Sequence, residues 1–215
     1  DSTILKNCLN SIDKNVKIKI IENSFKKENQ IFSIDKKNNL SIHFTGKNLG
    51  YGAGNNYGFN LVNTDYVIVA NPDIVFHKTF FDNIKKYLDS SLNFTIIGST
   101  YNQDKSFSSS GVFKENENKQ YSNDIESSTK KVFDTLTKVD WVTGCMMLIN
   151  LKKFSSRKIF DESFFLYFEE FDLCKNLELK NENVFRATDL LIDHLGYKGS
   201  FGSDPKNQLE SEKLR

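Results

Sequence analysis

Four groups of residues hold the side chains able to do chemistry. Asp73 follows Asn71-Pro72 at the end of an apolar run, "DYVIVANPDIVF". Upstream, "KNLGYGAGNNYGFN" sets glycines at 50, 52, 54 and 58 where a helix can begin. Downstream, "YFEEFDLCKNL" gathers Glu169, Glu170 and Asp172 beside aromatic residues. Finally, "LLIDHLGYKGSFG" closes an apolar run with His194 and a glycine-containing loop that carries Lys198 and Ser200.

Each group has a chemical reading and a plainer one. A carboxylate after a buried strand stands where open α/β sheets collect ligands and metals, yet Asp after Pro is also an ordinary turn. A glycine loop at a helix N-terminus can bring backbone N–H groups to an anion, or be only a turn. The dinucleotide fingerprint fails, because its third glycine would fall on Asn55 or Tyr57, and the P-loop fails for want of Gly-Lys-Ser/Thr. In helical register Glu169 and Asp172 share a face, while Glu170 turns toward Leu166, Leu173, Cys174 and Leu177. A carboxylate beside aliphatic groups is desolvated and its pKa rises, which suits a general base; acids at a helix start also simply complement the dipole. The His194 imidazole suits a divalent metal alongside a carboxylate, and Lys198 and Ser200 suit phosphate oxygens. His43 alternates within a strand and His77 opens a helix, so both read as structural or exposed.

The elements that must position these groups follow from the pattern. Helical spacing runs through "STILKNCLNSI" and "TFFDNIKKYLDSS", and strands are expected over 16–24, 40–45, 65–71 and 94–100 as neighbours in one sheet. Such alternation predicts an α/β fold, a mostly parallel sheet flanked by helices. Residues 102–138 are polar and read as a surface excursion within a single domain over 1–203, and 204–215 reads as a solvated tail. The 215 residues suit one such domain, and 38% hydrophobic content with 19 Phe and 8 Tyr supplies a core. With 29 basic and 28 acidic residues, the net charge of +1 offers nothing to nucleic acid. No apolar stretch approaches the roughly 18 residues of a membrane span. Cys8, Cys145 and Cys174 are too widely spaced for a disulfide framework or zinc site and read as reduced, packed thiols of a cytosolic protein.

Taken in order, "IIENSF", "NLGYGAGNNYG", Asn71-Pro72-Asp73, "DWVTGCMMLIN", "FDESFFLYFEEFDLC" and "DHLGYKGS" resemble the inverting glycosyltransferases of family 2, particularly the rhamnosyltransferase-like branch. The resemblance covers roughly residues 2–203. It implies a GT-A fold, a Rossmann-like mixed sheet flanked by helices, whose first strand would precede "DSTILKN". It implies that Glu22, where the family has Asp, lies near the nucleotide base with Asn23 and Ser24. Asn48, Gly50, Asn56 and Asn71 then stand beside the nucleotide sugar. Asp73 takes the place of the last carboxylate of the metal-binding DxD-like element, with His194 as the late metal ligand for Mg²⁺ or Mn²⁺. Trp141, Gly144 and Glu169 fall on the acceptor side. Glu170 takes the base position, again with Glu for Asp, and Asp172 is the competing base.

The activity so implied is transfer of a sugar from a nucleotide-diphosphate donor to a hydroxyl of a glycan or lipid-linked glycan, in surface polysaccharide synthesis. The implied place is the cytoplasm, with peripheral association at the inner membrane face. Two rivals remain: a catalytically silent module of the same fold that binds nucleotide or glycan, and a nucleotidyltransferase.

Overall fold

A computed structural model describes residues 2–26, 39–101, 110, 111, 113 and 134–194 of the chain. The helices are α1 (Ser2–Ser11), α2 (Tyr51–Phe59), α3 (Phe80–Leu88) and α4 (Glu169–Leu179). The first five strands are β1 (Ile18–Glu22), β2 (Leu40–Phe44), β3 (Tyr66–Ala70), β4 (Ile74–Phe76) and β5 (Ile96–Tyr101). The others are β6 (Ser110–Gly111), β7 (Leu136–Lys138), β8 (Trp141–Val142), β9 (Met146–Asn150) and β10 (Val184–His194).

The central sheet is mixed, in the order β3-β9-β5-β10-β4, with β7 also paired to β10. β9 lies antiparallel to both β3 and β5, and β10 runs parallel to β5, so β3, β5 and β10 share one direction. Alternation along the middle strands divides the core between two faces. Ile97, Met146 and Leu148 pack with α1 and α3 through Cys8, Phe80, Ile84 and Tyr87. Ile96, Met147 and Ile149 pack with α2 and α4 through Phe59, Leu173, Cys174 and Leu177. A strand covered on both faces reads as a near-continuous apolar run, which is why β9 opens with "MMLI". Its last residue, Asn150, is buried with its amide donating to the Phe94 carbonyl at 3.1 Å.

The expected neighbour relation among the early strands needs correction. β1 and β2 pair in parallel as a two-stranded sheet of their own, and β3 reaches β5 only across β9. Hydrophobic periodicity identifies strands but carries no information on partners, and β9 enters from far along the chain. The tail 204–215, most of the excursion 102–138, and Lys198 and Ser200 lie outside the described residues. No helix among the described residues is long and apolar enough to cross a membrane.

Candidate active site

Gly50 precedes α2 with φ +83°, and a Cβ there would lie 2.2 Å from the Phe165 carbonyl oxygen. Only glycine fits such a position. Asn23, just past β1, holds this loop from below. Its amide donates to the Gly50 carbonyl at 2.8 Å, and its carbonyl oxygen accepts from Leu49 N–H at 3.0 Å and Thr45 Oγ1 at 3.3 Å. Asn48 Oδ1 accepts from Gly50 N–H at 3.0 Å. The first N–H of α2, on Tyr51, donates to the Phe165 carbonyl at 3.0 Å. The glycines within α2 serve close packing: a Cβ on Gly54 would stand 2.9 Å from Asn23 Nδ2.

Asn56 is 2% exposed. Its amide donates to the Phe160 carbonyl at 2.9 Å and Glu162 Oε1 at 3.0 Å, and its oxygen accepts from Ile159 N–H at 2.9 Å and Phe160 N–H at 3.0 Å. The group has two donors and two acceptor lone pairs, and all are used. Asn23, Gly50 and Asn56 make these hydrogen bonds within the protein, where they shape the loop. Asn48 joins the same lattice through its oxygen. Glu22 is buried, with its backbone carbonyl accepting from Thr45, and Ser24 Oγ donates to the Lys26 carbonyl at 2.7 Å.

The turn Thr143–Cys145, between β8 and β9, gathers the remaining groups. The Tyr51 hydroxyl donates to the Gly144 carbonyl at 2.5 Å. Burial raises the Glu170 pKa, against the opposing effect of its own backbone N–H and that of Gly144. Burial also raises the Tyr51 pKa well above its ordinary range, with Glu170 adding negative charge nearby. On the strand side, the Asn71 N–H donates to the Cys145 carbonyl at 2.9 Å, which fixes the bend leading to Asp73. Tyr101 Oη lies 3.0 Å from Thr143 Oγ1 and 3.3 Å from Cys145 Sγ, and its ring stacks on His194 at 5.6 Å.

Asp73 Oδ2 is 3.4 Å from His194 Nε2, and this contact raises the histidine pKa against the opposing effect of burial. A carboxylate oxygen facing an imidazole nitrogen is a hard, borderline donor pair suited to Mg²⁺ or Mn²⁺. No group of three or more His, Cys, Asp or Glu positioned for a metal occurs among the described residues. Such ions commonly take one or two protein ligands and complete their shell with phosphate oxygens and water, so two donors fit.

α4 begins after Tyr167 and Phe168, whose φ angles are +71° and +72°. The buried face of the helix is Glu169, Leu173, Cys174 and Leu177. Glu169 therefore points inward, toward the leucines and Cys174 that the helical reading set beside Glu170. The Glu169 Cγ lies 3.5 Å from where a Gly52 Cβ would be, its Oε1 is buried without a hydrogen-bond partner, and burial lifts its pKa to about 7. Asp172 accepts from Asn176 Nδ2 at 3.1 Å, and partial burial with Asp161 nearby raises its pKa. Trp141 lies 4.6 Å from the Phe171 ring. Tyr51, Tyr101, Thr143 and Cys145 join the site without any signal in the sequence beyond their closeness to the glycine loop or to Gly144. His43 and His77 bond locally, to Ser41 and Thr79.

This arrangement is that of a GT-A glycosyltransferase fold. The mannosyltransferase PcManGT from Pyrobaculum calidifontis, solved with GDP-Man and Mn2+, has TM-score 0.58 and 8% identity over 93% of this chain and 55% of its own. TarS of S. aureus gives 0.56 and 14% identity over 87% and 57%. GalNAc-T7 with UDP, GalNAc and Mn2+ gives 0.59 and 11% over 92% and 41%. In sequence, the low-salt glycan biosynthesis hexosyltransferase Agl10 of Haloferax volcanii is 27% identical over 164 residues, 66% of this chain and 48% of that protein. The chain thus spans about half the length of this curated relative. No protein-family model matches the chain.

Proposed function

We propose that this chain is the donor-binding and catalytic part of an inverting glycosyltransferase of the family 2, rhamnosyltransferase-like type. It moves a hexose from a nucleotide-diphosphate donor to an acceptor hydroxyl in surface polysaccharide synthesis. The observation that carries the reading is convergence on one turn: the Tyr51 hydroxyl, from the helix that follows the glycine loop, donates to the Gly144 carbonyl, while Asn71, which leads to Asp73, is tied to the neighbouring Cys145. The glycine loop and a candidate metal pair thus meet at the same few residues, with the Glu170 charge close to the Tyr51 and Tyr101 hydroxyls. Similarity to a hexosyltransferase and to two Mn2+-bound transferase structures supports it.

Asp73 and His194 would hold Mg²⁺ or Mn²⁺, which when bound supplies positive charge against that of the donor diphosphate. Glu170 takes the proton of the acceptor hydroxyl as that oxygen attacks the anomeric carbon. The bond to the diphosphate breaks on the opposite face, so one displacement inverts the configuration. The raised Glu170 pKa sets the direction of the pH dependence. The base is active only when ionised, so transfer falls as pH drops through a value above that of an ordinary glutamate.

A screen of nucleotide sugars by thermal shift, with and without Mn²⁺, tests donor binding, since a ligand of the folded state raises the melting temperature. Glu170→Gln keeps the shape and removes the acceptor for the proton, so single-turnover transfer drops by about 10²–10⁴ with donor affinity retained. Asp73→Asn weakens Mn²⁺-dependent nucleotide binding and leaves the fold intact; calorimetry showing the parent affinity refutes the metal role. Transfer by Glu170→Gln at the parent rate, with loss in Asp172→Asn, moves the base to Asp172. A parent that binds donor but never transfers it would instead establish the silent module.

A further inference from the structure

The loop entering α4 presents three large apolar side chains to solvent: Phe165, Tyr167 and Phe168 are 38%, 50% and 47% exposed. Two of them, Tyr167 and Phe168, also hold left-handed backbone angles, φ +71° and +72°. Bulky residues rarely adopt that region, and such strain persists where the surroundings enforce it. Neither exposure nor strain is what a folding requirement alone would select at these positions, since a glycine would relieve the strain and a polar residue would solvate better.

The loop is tied to the site from behind. The Phe165 carbonyl takes the first N–H of α2 and seats over Gly50, and Glu169 packs against Gly52. The Phe168 ring lies 6.0 Å from Phe171, which lies 4.6 Å from Trp141, so the exposed rings continue a row of aromatics into the protein. The next residues along the chain are Glu169 and Glu170. An aromatic surface is therefore anchored to the glycine loop on one side and adjoins the proposed base on the other.

Charge narrows what could lie on it. Between Lys158 and Lys175 the chain contains five carboxylates, Asp161, Glu162, Glu169, Glu170 and Asp172, and no lysine or arginine. Glu162 pairs with Lys158 at 3.3 Å and Glu169 is buried, which leaves three others. An anionic membrane surface is repelled by such a segment, because lipid-binding aromatic loops rely on accompanying basic residues. A neutral sugar ring suits it: its C–H face covers an aromatic ring while its hydroxyls donate to carboxylates.

We propose that Tyr167 and Phe168, backed by Phe171 and Trp141, form a stacking subsite for a neutral pyranose ring of the acceptor. The assignment rests on the transferase reading and adds the acceptor's chemical class: a glycan with an uncharged ring next to the hydroxyl that is glycosylated.

The test is saturation-transfer NMR on the full chain, with methyl β-D-glucopyranoside and methyl α-D-mannopyranoside as probes. The parent is compared with Tyr167→Gly, Phe168→Gly and the double variant, and with Phe168→Asn, since Asn also accepts the left-handed region. Ring C–H signals of at least one probe saturate with the parent. Apparent affinity falls roughly three- to ten-fold in each single variant, the range of one aromatic contact. No saturation with the parent, or saturation unchanged in the variants, overturns the subsite. So does loss in the variants of binding to phosphatidylglycerol vesicles without any change toward the glycosides, because the loop would then be a lipid contact. UDP and GDP shifts with Mn²⁺, measured on the same samples, report separately on the transferase reading. Their retention with no glycoside effect means that only the subsite has failed, and their absence in the parent means that the transferase reading has.

Discussion

Two buried polar side chains, Asn56 within α2 and Glu169 packed against its first turn at Gly52, differ in one respect. Asn56 has every hydrogen-bonding position satisfied, by Ile159, Phe160 and Glu162. Glu169, at 1% exposure, keeps an oxygen with no partner and a pKa near 7. A saturated buried amide contributes to stability, because each bond replaces one to water and removing it strands its partners. A buried carboxylate left short of partners does the reverse when ionised. The clamp and the acid thus act on the same helix, one stabilising the loop 159–162 and the other opposing the fold near the proposed chemistry. Proteins retain such unfavourable groups chiefly where function uses them.

Asn56→Ala gives the largest effect expected of this contrast. It strands two backbone N–H groups and a carbonyl in a buried site, so stability falls by about 2–4 kcal/mol. Chemical denaturation measures it, and a change below about 1 kcal/mol would remove the clamp from the comparison.

Glu169→Gln is expected to act with the opposite sign and to depend on pH. The folded-state pKa of about 7 exceeds the ordinary value of 4.5, so the folded protein binds more protons than the unfolded one between them. Stability is then greatest below the unfolded value and is lost as pH rises toward 7. Gln, which cannot ionise, stabilises at pH 8 by about 2–3 kcal/mol relative to its effect at pH 5. Melting curves at the two pH values check this, and equal effects at both would mean that Glu169 does not ionise in the native protein.

The smallest effect sharpens the contrast from the backbone side. Phe168→Gly relieves a left-handed residue that glycine occupies without penalty, so the melting temperature rises, by the equivalent of about 1 kcal/mol. Destabilisation would show instead that the Phe168 ring supports the fold and that its exposure is incidental.

Much of this could be read from residue order alone. The strand before Asn71-Pro72-Asp73, the helix opening at the glycine loop, and the helix carrying Glu169 and Glu170 stand where periodicity and glycine placement put them. Those are local signals: side-chain period, breakers and caps act within a few residues and persist before tertiary contacts form. The inward turn of Glu169 was within reach of the same pattern, since Leu173 and Leu177 follow it by four and eight residues on one helical face. Spacing alone does not choose between Glu169 and Glu170, which both neighbour these leucines; packing against α2 decides it.

What the sequence determined by itself, then, is the set of elements and the chemical types at their ends: an α/β chain with a carboxylate after a core strand, acids at a helix start and a histidine at the close of β10. Only the tertiary structure decided which of them meet. It inserted β9 between β3 and β5, brought the turn Thr143–Cys145 against Tyr51, Tyr101 and Asn71, and faced Asp73 with His194 across more than a hundred residues of chain. It also assigned Asn23 and Asn56 to holding loops. The reason is physical: a residue type states which bonds it can make, but the partner that makes them is delivered by packing between segments remote in the chain, and no local pattern encodes that pairing.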